Sequence, residues 1–286
     1  MMRVRPLHPA FGLEITDIRL DTESPSALIA ELRRQLARSE ALLLRGQDIS
    51  TELQLRLVES LSAESHSAKS TSVTVIRSEA HCISLHEADA FWQADRLWHE
   101  LPSRLSILYV QSVPDAQPAE MLLLSQTHAY EELNSWLRWH IEYLEVEHRA
   151  RPVAVPEANS YDLPGAHYPA SSRTIVKAVY PLVRIDPTTE KRSLFLPETT
   201  SHGLLDMPEQ AGQELLRRLQ QKLLNPNAIH RHVWQTGDLL IWDSARLLHK
   251  LSGISADSTL RFARSRPLGE KPLGPRSTAM PWVVAG

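Results

Sequence analysis

Thr236-Gly-Asp-Leu-Leu-Ile-Trp-Asp-Ser-Ala-Arg-Leu-Leu-His249 contains an apolar run, Asp238-Leu-Leu-Ile-Trp242, that reads as a strand. Trp242, with Trp234 upstream, is expected in the core of paired strands. Asp243 is expected to cap or hydrogen-bond the turn that leads to His249.

Outward from this stretch the same reading recurs. His230–Trp234 and Leu260–Ser265 read as strands, and so do Phe11–Ile18, Ala41–Arg45, Leu105–Val113, Ile175–Ile185 and Ser193–Leu196. Asp186–Arg192 reads as the turn into Ser193–Leu196. Helices are predicted over Ser24–Leu36, from Ile49 with Ser50 or Thr51 as N-cap, over Ser125–Asn134 and over Pro208–Leu224. In the last of these, Leu215, Leu216, Leu219, Leu223 and Leu224 share a face. Residues 66–105 are polar and His-rich, and read as loops with short strands at Val73–Arg77 and Cys82–Leu85. Such loops on a compact scaffold often form a site. His66, His81 and His86 lie there, at the surface or lining a pocket. Many strands, a few helices and no β–α–β rhythm imply a mainly β chain, a sandwich or barrel with helical decoration. Residues 1–269 are expected to form one domain, and 270–286, with Pro272, Pro275 and Pro281, a loose tail.

Composition narrows the function classes. The chain has 286 residues, 42% of them hydrophobic, enough for a substantial core. A net charge of −3 gives no basic field for nucleic acid or an anionic membrane. No apolar run approaches the ~18 residues of a membrane span. The N-terminus shows no apolar leader, so a cytoplasmic location is expected. A single cysteine, Cys82, excludes an internal disulfide and a Cys-based zinc site. A small-molecule substrate is the expected partner, with a homo-oligomer or an active partner chain as further options.

The 236–249 stretch resembles the G-D-x-x-x-W-D-N-R-x-x-x-H segment of the taurine and 2,4-D dioxygenase family. The resemblance also runs through Phe11–Leu20, Ala41–Gly46, Ala129–Leu133, Tyr180–Arg184, Leu194–Leu196 and Arg264–Pro272. It implies a double-stranded β-helix, or jelly-roll, core with covering helices. It also implies non-haem Fe(II)/2-oxoglutarate oxygenation. In that family two His and one carboxylate hold Fe(II) on one face, leaving positions for 2-oxoglutarate and O2. A late-strand Arg clamps the distal carboxylate of 2-oxoglutarate, helped by the Thr of a G-G-x-T stretch.

The family's W-H-x-D metal motif has two partial copies here, Trp92-Gln-Ala-Asp95 and Trp98-His-Glu-Leu101. Counting from Trp92 reaches Leu101-Pro102 and the strand at Ile107–Tyr109 without a gap; counting from Trp98 needs a six-residue deletion. In the first register the metal residues are Gln93, Asp95 and His249, and His99 falls among substrate-facing loop residues. A neutral amide is a weaker donor to Fe(II) than imidazole, so the implied iron site is weak. In the second register His99 and His249 remain, and Leu101 stands where the carboxylate belongs.

The cosubstrate residues depart as well. Gln117-Pro-Ala-Glu-Met121 aligns with G-G-x-T, so Glu120 or Met121 stands for the Thr, and a Glu there repels a dicarboxylate. Of the family's two late arginines, the second matches Arg264 and the first falls on Leu260, beside Arg261. Successive strand residues face opposite ways, so Arg261 needs a bulge at Gly253–Ser258, or a slip of one residue, to serve. These departures argue against ordinary 2-oxoglutarate use. His202 sits where relatives carry substrate-contacting residues. Three readings stand: an oxygenase with a Gln/Asp/His iron site, a repurposed enzyme using His99, Glu100 and Glu120 as acid–base groups, or a non-catalytic relative binding a ligand or partner.

Overall fold

Leu239–Trp242 is fully buried because both sides of its strand are covered. The computed structural model describes residues 2–21, 24, 26–62, 76–77, 91–95, 102–113, 120–150, 176–198, 200–252, 261–265 and 271–275. The first strands are β1 (Arg3–Pro6), β2 (Leu13–Thr16), β3 (Ala41–Leu44), β4 (Ile76–Arg77), β5 (Leu105–Ser112), β6 (Glu120–Ser125), β7 (Glu145–Ala150) and β8 (Val176–Pro181). They are followed by β9 (Val183–Ile185), β10 (Arg192–Leu194), β11 (Ser201–Leu204), β12 (Ile229–Val233), β13 (Leu239–Asp243), β14 (Leu247–Ser252) and β15 (Arg261–Ser265). The helices are α1 (Ser26–Ser39), α2 (Thr51–Ser62), α3 (Gln126–Glu131), α4 (Ser135–Ile141) and α5 (Glu209–Leu223).

Seven strands form the major sheet, in the order β1-β2-β3-β13-β5-β15-β4. Strands β12-β6-β14 form a smaller sheet, with β11-β7-β8 and β10-β9 as further pieces. Alternation along the strands sorts side chains into layers. From β13, Leu239 and Ile241 pack with Leu32 and Leu36 of α1 and Leu53 and Leu57 of α2. Leu240 and Trp242 turn the other way, against Met121 and Leu123 of β6 and Leu247 and Leu251 of β14. The major and smaller sheets therefore face each other across one apolar interior. The far side of the smaller sheet, through Leu124 and Leu248, packs on Leu216, Leu219 and Leu223 of α5 and on Tyr180 and Phe195. The result is the expected mainly β jelly-roll core with helices covering both outer faces.

Local chemistry explains the element ends. Gly237 has φ +84°, and a Cβ there would meet Gln47 O at 2.9 Å, so the turn into β13 needs glycine. Ser50 Oγ accepts from Leu53 N–H at 3.1 Å and caps α2, one of the two caps expected. The single helix predicted over 125–134 is instead two. Ser125 caps α3, and Asn134 Oδ1 accepts from Leu137 N–H to start α4. The strand predicted over 175–185 is also two, because the chain changes partners at Leu182: β8 pairs β7 and β9 pairs β10.

Strands β1, β6, β7, β11 and β14 were not expected. Lys271–Pro275, within the segment expected to be loose, lies along β9: Ile185 N–H donates to Leu273 O at 2.8 Å. Cys82–Leu85, Val73–Val75, His66, His81, His86 and residues 276–286 lie outside the described residues. Among the described residues no helix is long and apolar enough to cross a membrane.

Candidate functional site

The turn after β13 delivers His249. Asp243 builds that turn as expected: its carboxylate accepts from Ala245 N–H at 2.9 Å and from Arg246 Nε at 2.9 Å. Arg246 also donates to Ala37 O and Leu36 O at the end of α1, which ties the turn to the scaffold. His249 follows on β14, fully buried, its ring edge-on to Trp242 with centroids 5.3 Å apart.

Trp92–Asp95 is stitched in on both sides. Trp92 N–H donates to Glu198 Oε2 at 3.2 Å, and Trp92 O accepts from Glu198 N–H at 3.0 Å. Gln93 and His249 exchange both backbone hydrogen bonds, each 3.0 Å. Directly opposed antiparallel residues share a face, so the side chains of Gln93 and His249 leave the bridge on the same side. Asp95, 4% exposed, presents Oδ1 at 4.0 Å from His249 Nε2. Its other oxygen is held by two hydroxyls, Ser106 Oγ and Ser244 Oγ, the latter at 3.2 Å. The first register thus brings Gln93, Asp95 and His249 together.

This donor set can be tested against a divalent ion. Such ions take nitrogen and oxygen donors at about 2.0–2.2 Å, so one ion can touch both ends of a 4.0 Å gap. Asp95 and His249 fit it. Among the described residues no three His, Cys, Asp or Glu side chains gather as a metal cluster. Gln93 reaches this face through its backbone bridge to His249, and its amide oxygen is a neutral donor of the kind that suits harder cations.

Other expected residues stand apart. Glu120, half-buried on the face of β6 opposite Met121, pairs with Arg231. In register it lies opposite Ser252, while His249 lies opposite Leu123, three residues away or about 10 Å along the strand. Met121 points into the interior with Val110, Trp234 and Leu251. In β15, Arg264 takes the register position opposite Leu108 and Arg261 the position opposite Ser112, with a register shift between Arg261 and Phe262. The side chains of Arg261 and Arg264, and His99, Glu100 and Gly253–Ser258, lie outside the described residues. His202 is exposed at the register shift of β11.

The hydroxyls of Ser106 and Ser244 escaped sequence reasoning. No periodic signal says which polar residue of a strand meets a carboxylate from a separate loop.

A second polar group lies on the other face of the smaller sheet. His148 is 2% exposed, Nδ1 3.1 Å from Thr200 Oγ1, with its ring against Tyr180 and Phe195. Burial, and then the charge of Arg184, hold its pKa down at about 3. An unfolded His titrates near 6.5, so between these values the unfolded chain binds the proton and the native one does not. The stability this group contributes is full above about pH 6.5 and is lost as pH falls toward 3. Urea unfolding of His148→Phe between pH 7 and 4.5 should show a shallower loss of stability than wild type. Equal slopes would mean that His148 is protonated in the native state.

The family profile described as "Taurine catabolism dioxygenase TauD, TfdA family" matches residues 3–264. An alpha-ketoglutarate-dependent 2,4-dichlorophenoxyacetate dioxygenase of Cupriavidus pinatubonensis is 27% identical over 282 residues, spanning 90% of this chain and 95% of its own. An alpha-ketoglutarate-dependent sulfonate dioxygenase of Saccharomyces cerevisiae is 23% identical, over 95% of this chain and 68% of its own. The crystal structure of a taurine dioxygenase from Burkholderia xenovorans superposes with a TM-score of 0.76 at 21% identity, covering 96% of this chain and 93% of that one. That last likeness concerns the fold.

Proposed function

The chain belongs to the taurine catabolism dioxygenase TauD, TfdA family, and from that premise we propose an oxygenase-type protein for a small polar or anionic metabolite, with an altered metal face of Gln93, Asp95 and His249. One observation carries the reading: the backbone bridge between Gln93 and His249 sets Asp95 Oδ1 4.0 Å from His249 Nε2. Fe(II) held there would supply O2 activation. Asp95 is the charged donor, aimed by Ser106 and Ser244, and His249 is the nitrogen donor, walled by Trp242. Gln93 completes the face weakly. The relatives named for a phenoxyacetate and a sulfonate support an anionic substrate. The low net charge supports a small-molecule partner over nucleic acid or membrane, and the single cysteine a cytoplasmic setting.

A second reading has its own support. Met121, Leu251, Trp234 and Trp242 pack together in the interior beside His249. That packing, with Met121 or Glu120 in place of the family's Thr, favours 2-oxoglutarate-independent chemistry or a non-catalytic binding role. Anaerobic titration of the apo-protein with Fe(II) and then 2-oxoglutarate separates the two. The oxygenase reading expects weak Fe(II) binding, lost in Asp95→Ala, and a visible metal-to-ligand charge-transfer band when 2-oxoglutarate is added. If Fe(II) binds and no band forms, the second reading stands. If no Fe(II) binds at all, the metal face itself is withdrawn.

A further inference from the structure

A cavity of about 50 Å³ lies between β9, β10, the turn after β13 and the Lys271–Leu273 segment. Its walls include Ser103, Arg104, Arg184, Asp186, Arg246 and Lys271, four cationic side chains against one carboxylate. That carboxylate is already engaged: Asp186 accepts from Arg104 and from the N–H groups of Thr188 and Thr189, at 2.9 and 2.7 Å. Arg246 is engaged too, by Asp243 at 2.9 Å.

Two buried wall residues are left with unmet donors. Ser103 is 3% exposed and Arg184 6%. Neither Ser103 Oγ nor Arg184 Nε and Nη2 has a hydrogen-bond partner among the described residues. Arg184 instead lies over the faces of Phe195 and Tyr180, its Cζ 3.0 and 5.2 Å from their centroids. Aromatic faces attract a cation but accept no strong hydrogen bond. Asp243 attracts this guanidinium through space, yet Nε and Nη2 stay unbonded among the described residues, and a buried cation whose donors go unmet is destabilising unless something supplies an acceptor. Lys271, exposed, adds a further positive charge to the same wall.

We propose that this cavity is a binding site for one small oxyanion (sulfate, phosphate or a carboxylate headgroup), held by Arg184, Ser103 and Lys271. The chemistry matches on three counts. A guanidinium presents forked N–H donors to oxyanions. A hydroxyl adds a neutral donor. On this measure of volume one water needs about 10–15 Å³, so the space suits a few heavy atoms and excludes a nucleotide. The site is separate from the metal face, since Arg184 sits with the layer on the far side of the smaller sheet from His249.

The test is calorimetric titration of the full chain with sodium sulfate at constant ionic strength, repeated with phosphate and with acetate. Saturable binding of at least one anion is expected. Lys271→Glu should weaken it at least about tenfold through like-charge repulsion. Arg184→Lys, which loses the fork, should weaken it as well, with circular dichroism confirming that each variant is folded. His249→Ala should bind as wild type does. Binding by acetate alone identifies a carboxylate headgroup, and binding by sulfate or phosphate a tetrahedral anion; either supports the site. No saturable heat with any of the three, or the same affinity in Lys271→Glu and Arg184→Lys as in wild type, overturns it.

Discussion

Gln93→His is expected to bind Fe(II) about a hundredfold more tightly than wild type, because even outer-shell changes move metal affinity about 10–100-fold and this one changes a direct donor. The amide oxygen of Gln93 is neutral and weakly donating, whereas imidazole suits Fe(II). The scaffold for the exchange is already in place. Gln93 is bridged to His249 through two 3.0 Å backbone hydrogen bonds, and Asp95 is held by Ser106 and Ser244. Anaerobic competition against a chelator of known affinity gives the ratio directly. Equal affinities for variant and wild type would take Gln93 off the metal face and return the weight to the register beginning at Trp98.

Trp242→Ala is expected to lower stability by about 3–5 kcal/mol, the usual cost of truncating a buried Trp. Trp242 has no exposed surface, and it packs between the two sheets against Met121, Leu240 and Leu247. The surroundings are paired strands, β13 between β3 and β5 and β14 on β6, which cannot collapse far into the gap. The urea midpoint should fall with an unchanged slope. A loss below about 1 kcal/mol would contradict a tightly packed interior. The same variant removes the ring that faces His249, so its Fe(II) affinity should fall as well.

The fold was largely legible where burial is one-sided or complete. The face of α5 was read from leucine spacing, and Leu216, Leu219 and Leu223 are buried while Leu215 and Leu224 pack at its edge. The β13 run was read from its continuous apolar residues. Strand β7 was missed because Glu145-Val-Glu-His-Arg-Ala150 carries polar residues with little strand propensity. Its pairing with β8 and β11 makes it a strand. The break between α3 and α4 was missed for a similar reason. Asn134 fits within a helical window by spacing alone, and its capping bond to Leu137 exists only once the chain has turned.

The site divides in the same way. Gln93, Asp95 and His249 were placed by counting along the chain, because the gap-free length from Trp92 to β5 ties one copy of the motif to the strand that follows it. Residue types alone put a neutral amide, Gln93, at the position where the resemblance expects the first histidine. Which donors meet was decided in three dimensions. Gln93 lies 156 positions from His249 in the chain, and the β-bridge between them forms only when Trp92–Asp95 is pinned between Glu198 and β14. The hydroxyls that orient Asp95, the aromatic bed of Arg184 and the cation-lined cavity beside it likewise come from segments far apart in sequence. Local chemistry determines what each residue can donate or accept; only packing of distant segments determines which donor finds which acceptor, and which, like Nε and Nη2 of Arg184, has none among the described residues.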